Sequence, residues 1–149
     1  MGIFDRLTGT RSPAAGVAAR TAAEVRAALL AVNGPDVPFV VRNGAPSDRA
    51  DLVAMWRVPQ LRLTVRTRMR VVPARHEVRA LDEEWDARRR EYSRGQVTTV
   101  AWDWTIERGP NGLPRRTEVA RFDFAEMKNP LRSAVLDAGW TWRGVVFRL

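Results

Sequence analysis

Cysteine is absent from this 149-residue chain, and histidine, lysine and tyrosine each occur once. The lack of Cys excludes disulfides, a thiolate nucleophile and cysteine metal sites. The single histidine, His76, cannot supply the multi-ligand set that a zinc ion needs. It follows Pro73-Ala74-Arg75, which reads as a tight turn, so an ordinary surface turn residue is expected there. No serine lies in a nucleophile-elbow pattern, and neither G-x-G-x-x-G nor a P-loop occurs. These absences leave no residue assigned as catalytic or metal-ligating, and no cofactor is expected. No apolar run approaches the ~18 residues of a membrane span. The N-terminus lacks the apolar stretch of a secretory signal, so a cytoplasmic location is expected.

What the chain has is positive charge. The net charge is +8, carried by arginine and the one lysine, Lys128. A basic excess favours an acidic protein or a polyanion as partner. Arginine used almost everywhere in place of lysine, with abundant Ala and Val, is also what a GC-rich genome writes.

The most ordered pattern is Leu61 to Val72, L-R-L-T-V-R-T-R-M-R-V-V. Successive side chains of a β-strand point to opposite faces. Leu61, Leu63, Val65, Met69 and Val71 therefore share an apolar face, and Arg62, Arg66, Arg68 and Arg70 an exposed guanidinium face. The next segment, Glu77 to Arg88, has apolar residues of both parities, and a β-bulge near Ala80 or Leu81 would reconcile them. Asp82, Glu83, Glu84 and Asp86 then fall within cross-strand reach of the arginines. Arg88, Arg89 and Arg90, with Arg94 and Gly95, form a basic loop.

Elsewhere, Thr21-Ala-Ala-Glu24 is a capping box that starts a helix over about Ala22 to Val32. Short strands are expected at Pro38 to Arg42 and Asp51 to Val58. A hairpin is expected from Gln96 to Glu107 and Arg115 to Phe124, closed by an Asn-Gly turn. Asn129-Pro130 reads as the cap of a second helix, and Trp140 to Leu149 as a last strand. Trp102/Trp104 and Trp140/Trp142 are i, i+2 pairs, each on one strand face. They serve the core or line a pocket.

These elements give an α+β fold. We expect a mainly antiparallel twisted sheet of about six or seven strands, curling towards a partial barrel, with an N-terminal helix and a helix before the last strand. Residues 1–20 read as a flexible N-terminal segment and 21–149 as one domain. The opening M-G-I-F-D-R-L-T-G and the ending A-G-W-T-W-R-G-V-V-F resemble a family of small actinobacterial proteins of unknown function. The resemblance implies a bacterial source and no activity.

Three functional classes stand. The first is a non-enzymatic binding or protein-interaction module. The second is an anion binder for nucleic acid or acidic lipid, through Arg62, Arg66, Arg68, Arg70, Arg88, Arg89 and Arg90. The third is a carboxylate-dependent enzyme with a cavity lined by Trp102, Trp104, Trp140 and Trp142.

Overall fold

The alternation in the Arg-rich stretch does form a strand, although it starts two residues late. The structure, a computed structural model, describes residues 2–149; the side chains of Phe4, of residues 103–106 and of residues 117–119 lie outside that description. In chain order the elements are α1 (Ile3–Leu7), α2 (Ala22–Leu30), β1 (Val40–Asn43), β2 (Leu52–Val58), β3 (Leu63–Val72), β4 (Glu77–Asp86), β5 (Glu91–Gly95), β6 (Val100–Arg108), β7 (Pro114–Asp123), α3 (Ala125–Asp137) and β8 (Thr141–Val145).

The fold is α+β. Strands β1 to β5 pair antiparallel in sequence order, and β8 joins the same sheet parallel to β4. One edge of β4 pairs with β3 along its whole length. The other edge is divided end to end: β8 takes Glu77 to Leu81 and β5 takes Asp82 to Asp86. Strands β6 and β7 form a separate two-stranded ribbon, and the six-stranded sheet does not close into a barrel.

The three hairpins from β1 to β4 share one turn. Pro46, Pro59 and Pro73 each open a single 3₁₀ turn, where a fixed φ is useful and the missing N–H is not needed. Arg49, Arg62 and His76 close these turns at φ 52°, 48° and 46°. Their amides donate to the proline carbonyls at 3.3, 3.0 and 3.2 Å. His76 is therefore an exposed turn residue, as expected. Arg62 belongs to a turn and not to the strand face.

The β1 edge is blunted by a side chain. After α2, Asn33 accepts from the Val41 amide and donates to the Val41 carbonyl, each at 2.7 Å. An amide thus replaces a neighbouring strand at an otherwise unpaired edge.

The capping box forms as read: the Thr21 side chain accepts from the Glu24 amide, and Glu24 reaches back to the Thr21 amide. The apolar faces of α2 and α3 cover the inner face of the sheet. Val25, Leu29, Leu131 and Val135 join Leu63, Val65, Met69 and Trp56 in one core. Phe122 of the ribbon enters this core with its ring 4.6 Å from Trp56.

The N-terminal segment runs beside β8 from Thr8 to Arg11 and meets the end of α3 at Arg20. Arg11 exchanges backbone hydrogen bonds with Trp142 at 2.8 and 2.9 Å, and the Arg20 amide donates to Ala138. A Cβ at Gly144 would overlap the Thr8 carbonyl, so this close crossing needs glycine.

Several expectations are corrected. No bulge occurs in β4; its register with β3 is unbroken from Leu63–Asp86 to Val72–Glu77. Apolar residues of both parities are accommodated because both faces are buried, with Leu81 and Val53 fully covered on the outer face. The outer-face neighbour of both is Arg68, whose stem shields them. The segment read as a loop at Arg94-Gly95 is part of β5. The second helix begins one turn earlier than Asn129. Asp123 Oδ1 accepts from the Ala125 amide at 3.0 Å, and Pro130 sits inside the helix. The proline deprives only the carbonyl of exposed Glu126, which water can serve.

Asp123→Ala should therefore destabilise the protein by about 1 kcal/mol, the usual worth of a side-chain cap. Asn129→Ala should leave stability nearly unchanged. Denaturant unfolding of both variants checks this, and the reverse order would restore Asn129 as the cap.

Candidate functional site: the two faces of β4

Adjacent residues of β4 face opposite sides of the sheet, and their acids divide accordingly. Asp82, Glu84 and Asp86 share the inner face with Val78 and Ala80, while Glu77 and Glu83 face outward with Arg66 and Arg79. Of the four acids expected to meet the Arg face, only Glu83 does.

On the outer face Glu83 lies between two guanidiniums. Arg66 Nη2 and Arg68 Nε reach its Oε1 at 2.8 and 2.7 Å, and the Tyr92 hydroxyl donates to Oε2 at 2.6 Å. Burial pushes the Glu83 carboxyl up, but Tyr92, Arg68 and Arg66 outweigh it and hold the group below its ordinary value. Glu77 repeats the pattern with Arg79 at 2.9 Å and Arg143 at 2.8 Å. Burial raises it too, and the two arginines bring it below normal. Asp48 is held at about 2 by the Arg42 guanidinium and the Ala45 amide.

This pairing changes the exposure of the Arg face. Arg66 and Arg68 are only 21% and 17% exposed, not open as expected. Arg70 remains exposed and donates to the Arg49 carbonyl at 2.7 Å. Arg62 lies apart from them, its carbonyl accepting from the Ala87 amide at the β4–β5 turn. Arg88, Arg89 and Arg90 are exposed in that turn, where Asp86 holds the backbone amides of Arg88 and Arg89. Next to Glu83, Arg66 stacks over the Trp85 ring at 5.0 Å, and Trp85 lies 5.3 Å from half-exposed Tyr92.

On the inner face Asp82 is 1% exposed. It accepts from Thr67 Oγ1 at 2.9 Å, from the Val97 amide at 3.3 Å and from Lys128 Nζ at 3.2 Å. Lys128 also donates to Gln96 Oε1. Burial pushes the Asp82 carboxyl up, further than Lys128, Thr67 and Val97 pull it down. Lys128 lines a cleft of about 270 Å³ between the N-terminal segment and the first turn of α3. A second cleft of the same size is lined by Glu84, Asp86, Glu91, Arg88, Arg89 and Thr99. Thr99 donates to Glu84 Oε2 at 2.7 Å there.

Among the described residues, neither cleft is lined by a tryptophan. Trp140 and Trp142 are buried in the core. Trp140 Nε1 donates to the Arg20 carbonyl at 2.8 Å, and Trp142 Nε1 is buried without a partner. Trp102 is half exposed on the ribbon, and the Trp104 side chain lies outside the described ones. Among the described residues, no three Asp, Glu or His converge as metal ligands would.

Sequence reasoning missed Lys128, Gln96, Tyr92 and the outward pairing of Glu77. Only Lys128 carries a signal in the sequence, as the one lysine among arginines. No protein-family model, curated protein or solved structure matches the chain.

Lys128→Met alone should cost about 3–5 kcal/mol, because it leaves Asp82 buried without a counter-charge. Adding Asp82→Asn should recover most of that loss, since the amide oxygen still accepts from Thr67 or Val97. Unfolding of the single and double variants measures this; a double variant no more stable than the single would refute the pairing.

The adjacent acids should respond oppositely to pH. A lowered carboxyl such as Glu83 adds stability above its unfolded value, which is lost on acidification below pH 4.5. A raised one such as Asp82 favours the fold when protonated, so its contribution grows as pH falls towards 3.8. Glu83→Gln should therefore shallow the acid limb of the stability profile, and Asp82→Asn should deepen it. Denaturant midpoints measured across this range check both signs.

Proposed function

We propose that this chain is a non-enzymatic interaction module that takes an acidic protein partner on the outer face of its sheet. The observation that carries the reading is the Tyr92–Trp85–Arg66 stack beside Glu83. Tyrosine, tryptophan and arginine are the side chains that dominate protein interfaces. Here the stack is fixed in advance by Glu83, so little conformational freedom remains to be lost on binding.

The charge on this face supports the same reading. Eight arginines, Arg42, Arg57, Arg66, Arg68, Arg70, Arg79, Arg94 and Arg143, stand against Asp48, Glu77 and Glu83. The surplus is positive but interrupted, because each glutamate lies within a pair of arginines. Separate carboxylates of a protein surface fit such spacing better than a continuous phosphate backbone.

Titration of the full chain with labelled poly-glutamate, duplex DNA and RNA across salt tests this. Poly-glutamate binding should weaken in Tyr92→Ala and in Arg94→Glu. Nucleic-acid binding should be weak and vanish by about 0.2 M salt, where exposed charges are screened. Nanomolar DNA or RNA binding at about 0.15 M, abolished by Arg70→Glu with Arg94→Glu, would assign the face to nucleic acid instead.

A further inference from the structure

The cleft at Lys128 differs from the outer face in one respect: its cations have too few acids. Arg6, Lys128 and Arg132 line it, together with Asp123, Thr98 and Gly9. The Arg132 guanidinium is held below its ordinary value, by burial first and then by the positive charge of nearby Arg11. Among the described residues, neither Arg6, Arg11 nor Arg132 forms an ion pair with a carboxylate. Among the described residues, Arg132 donates to Asn129 Oδ1 alone, at 3.1 Å. Arg132 is half-buried and Arg11, exposed, stands near it; like charges brought together without a counter-ion are unfavourable unless something else supplies the negative charge.

Lys128 adds a donor. An ammonium group has three N–H bonds. Asp82 and Gln96 accept two and the Phe124 ring lies 5.9 Å from Nζ, which leaves the third N–H with no oxygen or nitrogen acceptor among the described residues. The N-terminal segment forms the wall opposite. Gly9, at φ 69°, comes so near that a Cβ there would lie 2.8 Å from Gln96 Oε1 and 3.4 Å from Lys128 Nζ. The first turn of α3 borders the same space and adds the partial positive charge of a helix start.

The geometry points to this cleft as a binding site for a phosphate monoester. Arg6, Lys128 and Arg132 line the cleft and Arg11 stands near Arg132; set against Asp123 in the lining and Asp82 behind Lys128, they leave two positive charges, the complement of a dianion. A monocarboxylate would neutralise half of that. A tetrahedral group also offers oxygens in several directions, to a point-like ammonium on one side and a guanidinium fork on the other. The site lies on the helix side of the sheet, apart from the outer face, and does not depend on the partner proposed for that face.

The test is calorimetric titration and thermal melting of the full chain with inorganic phosphate, glycerol 3-phosphate and acetate at matched ionic strength. Both phosphates should bind and raise the melting temperature, and acetate should do neither. Arg132→Gln should weaken phosphate binding about tenfold or more, the size of one charge-assisted hydrogen bond. In chloride alone the same variant should melt no lower than wild type, since it relieves the repulsion from Arg11. Arg11→Gln should act in the same direction, and Arg70→Gln on the outer face should leave phosphate affinity unchanged. An equal response to acetate, unchanged affinity in Arg132→Gln, or an equal loss in Arg70→Gln would each overturn the assignment.

Discussion

The ion pair of Asp82 and Lys128 ties together parts of the chain that lie far apart in sequence. Through Asp82 it binds β4 to Thr67 of β3 and to the Val97 amide beyond β5. Through Lys128 it fixes the first turn of α3 and the Gln96 side chain. A buried pair of this kind is poor evidence for net stability, because the desolvation of both ions opposes their attraction. Its effect is on position. An unpaired acid beneath α3 would be far more costly than the pair, so alternative placements of the helix over the sheet are disfavoured. The end of β5, the start of α3 and the cleft between them meet at this contact.

The outer face of β4 works by a different rule. Glu83 and Glu77 are nearly buried, yet both stay on the ionised side because each is shared by two guanidiniums. Asp82, next in sequence to Glu83, is displaced the other way because its one cation does not compensate for its deeper burial. The strand thus carries neighbouring carboxylates whose hold on a proton is displaced in opposite directions. The alternation of a strand produces this contrast directly, since residues i and i+1 enter different surroundings. It also explains why counting acids against arginines along the sequence overstates the neutralisation of the Arg face.

Much of the architecture was legible in the residues. The Arg/apolar alternation of β3, the Thr21–Glu24 capping box and the Pro-led turn at His76 rest on local geometry, and each is found. What was not legible depended on partners distant in sequence. Nothing local says that β4 is covered on both faces, so its mixed parity suggested a bulge that does not exist. Asn129-Pro130 has the form of a cap, but α3 is extended backwards by Asp123 and by the burial of Met127 and Lys128. The strand β5 is short and exposed along most of its length, so no apolar period announces it. The candidate site was the least legible part. Its arginines were visible, but which of them would be held by Glu83 and which left free depends on the register of three strands.

Composition and function can be separated at one position. If a genome's preference for arginine codons alone decided each cation, residue 128 would be expected to be arginine as well. The structure gives a physical reason for the exception. The side chain must place its charge between Asp82, Gln96 and the Gly9 backbone, close enough that even a methyl group at Gly9 would press on Gln96. A planar guanidinium is wider than an ammonium and presents its donors in a rigid fork. On the outer face the fork is an advantage, because it reaches one carboxylate from the side while its stem covers Leu81 and Val53. In the enclosed space under α3 a compact, rotating donor fits and a fork does not. The distribution of Arg and Lys therefore follows the shape of the two faces, with arginine where a flat sheet surface must be covered and lysine where the Asp82 and Gln96 oxygens converge on a point.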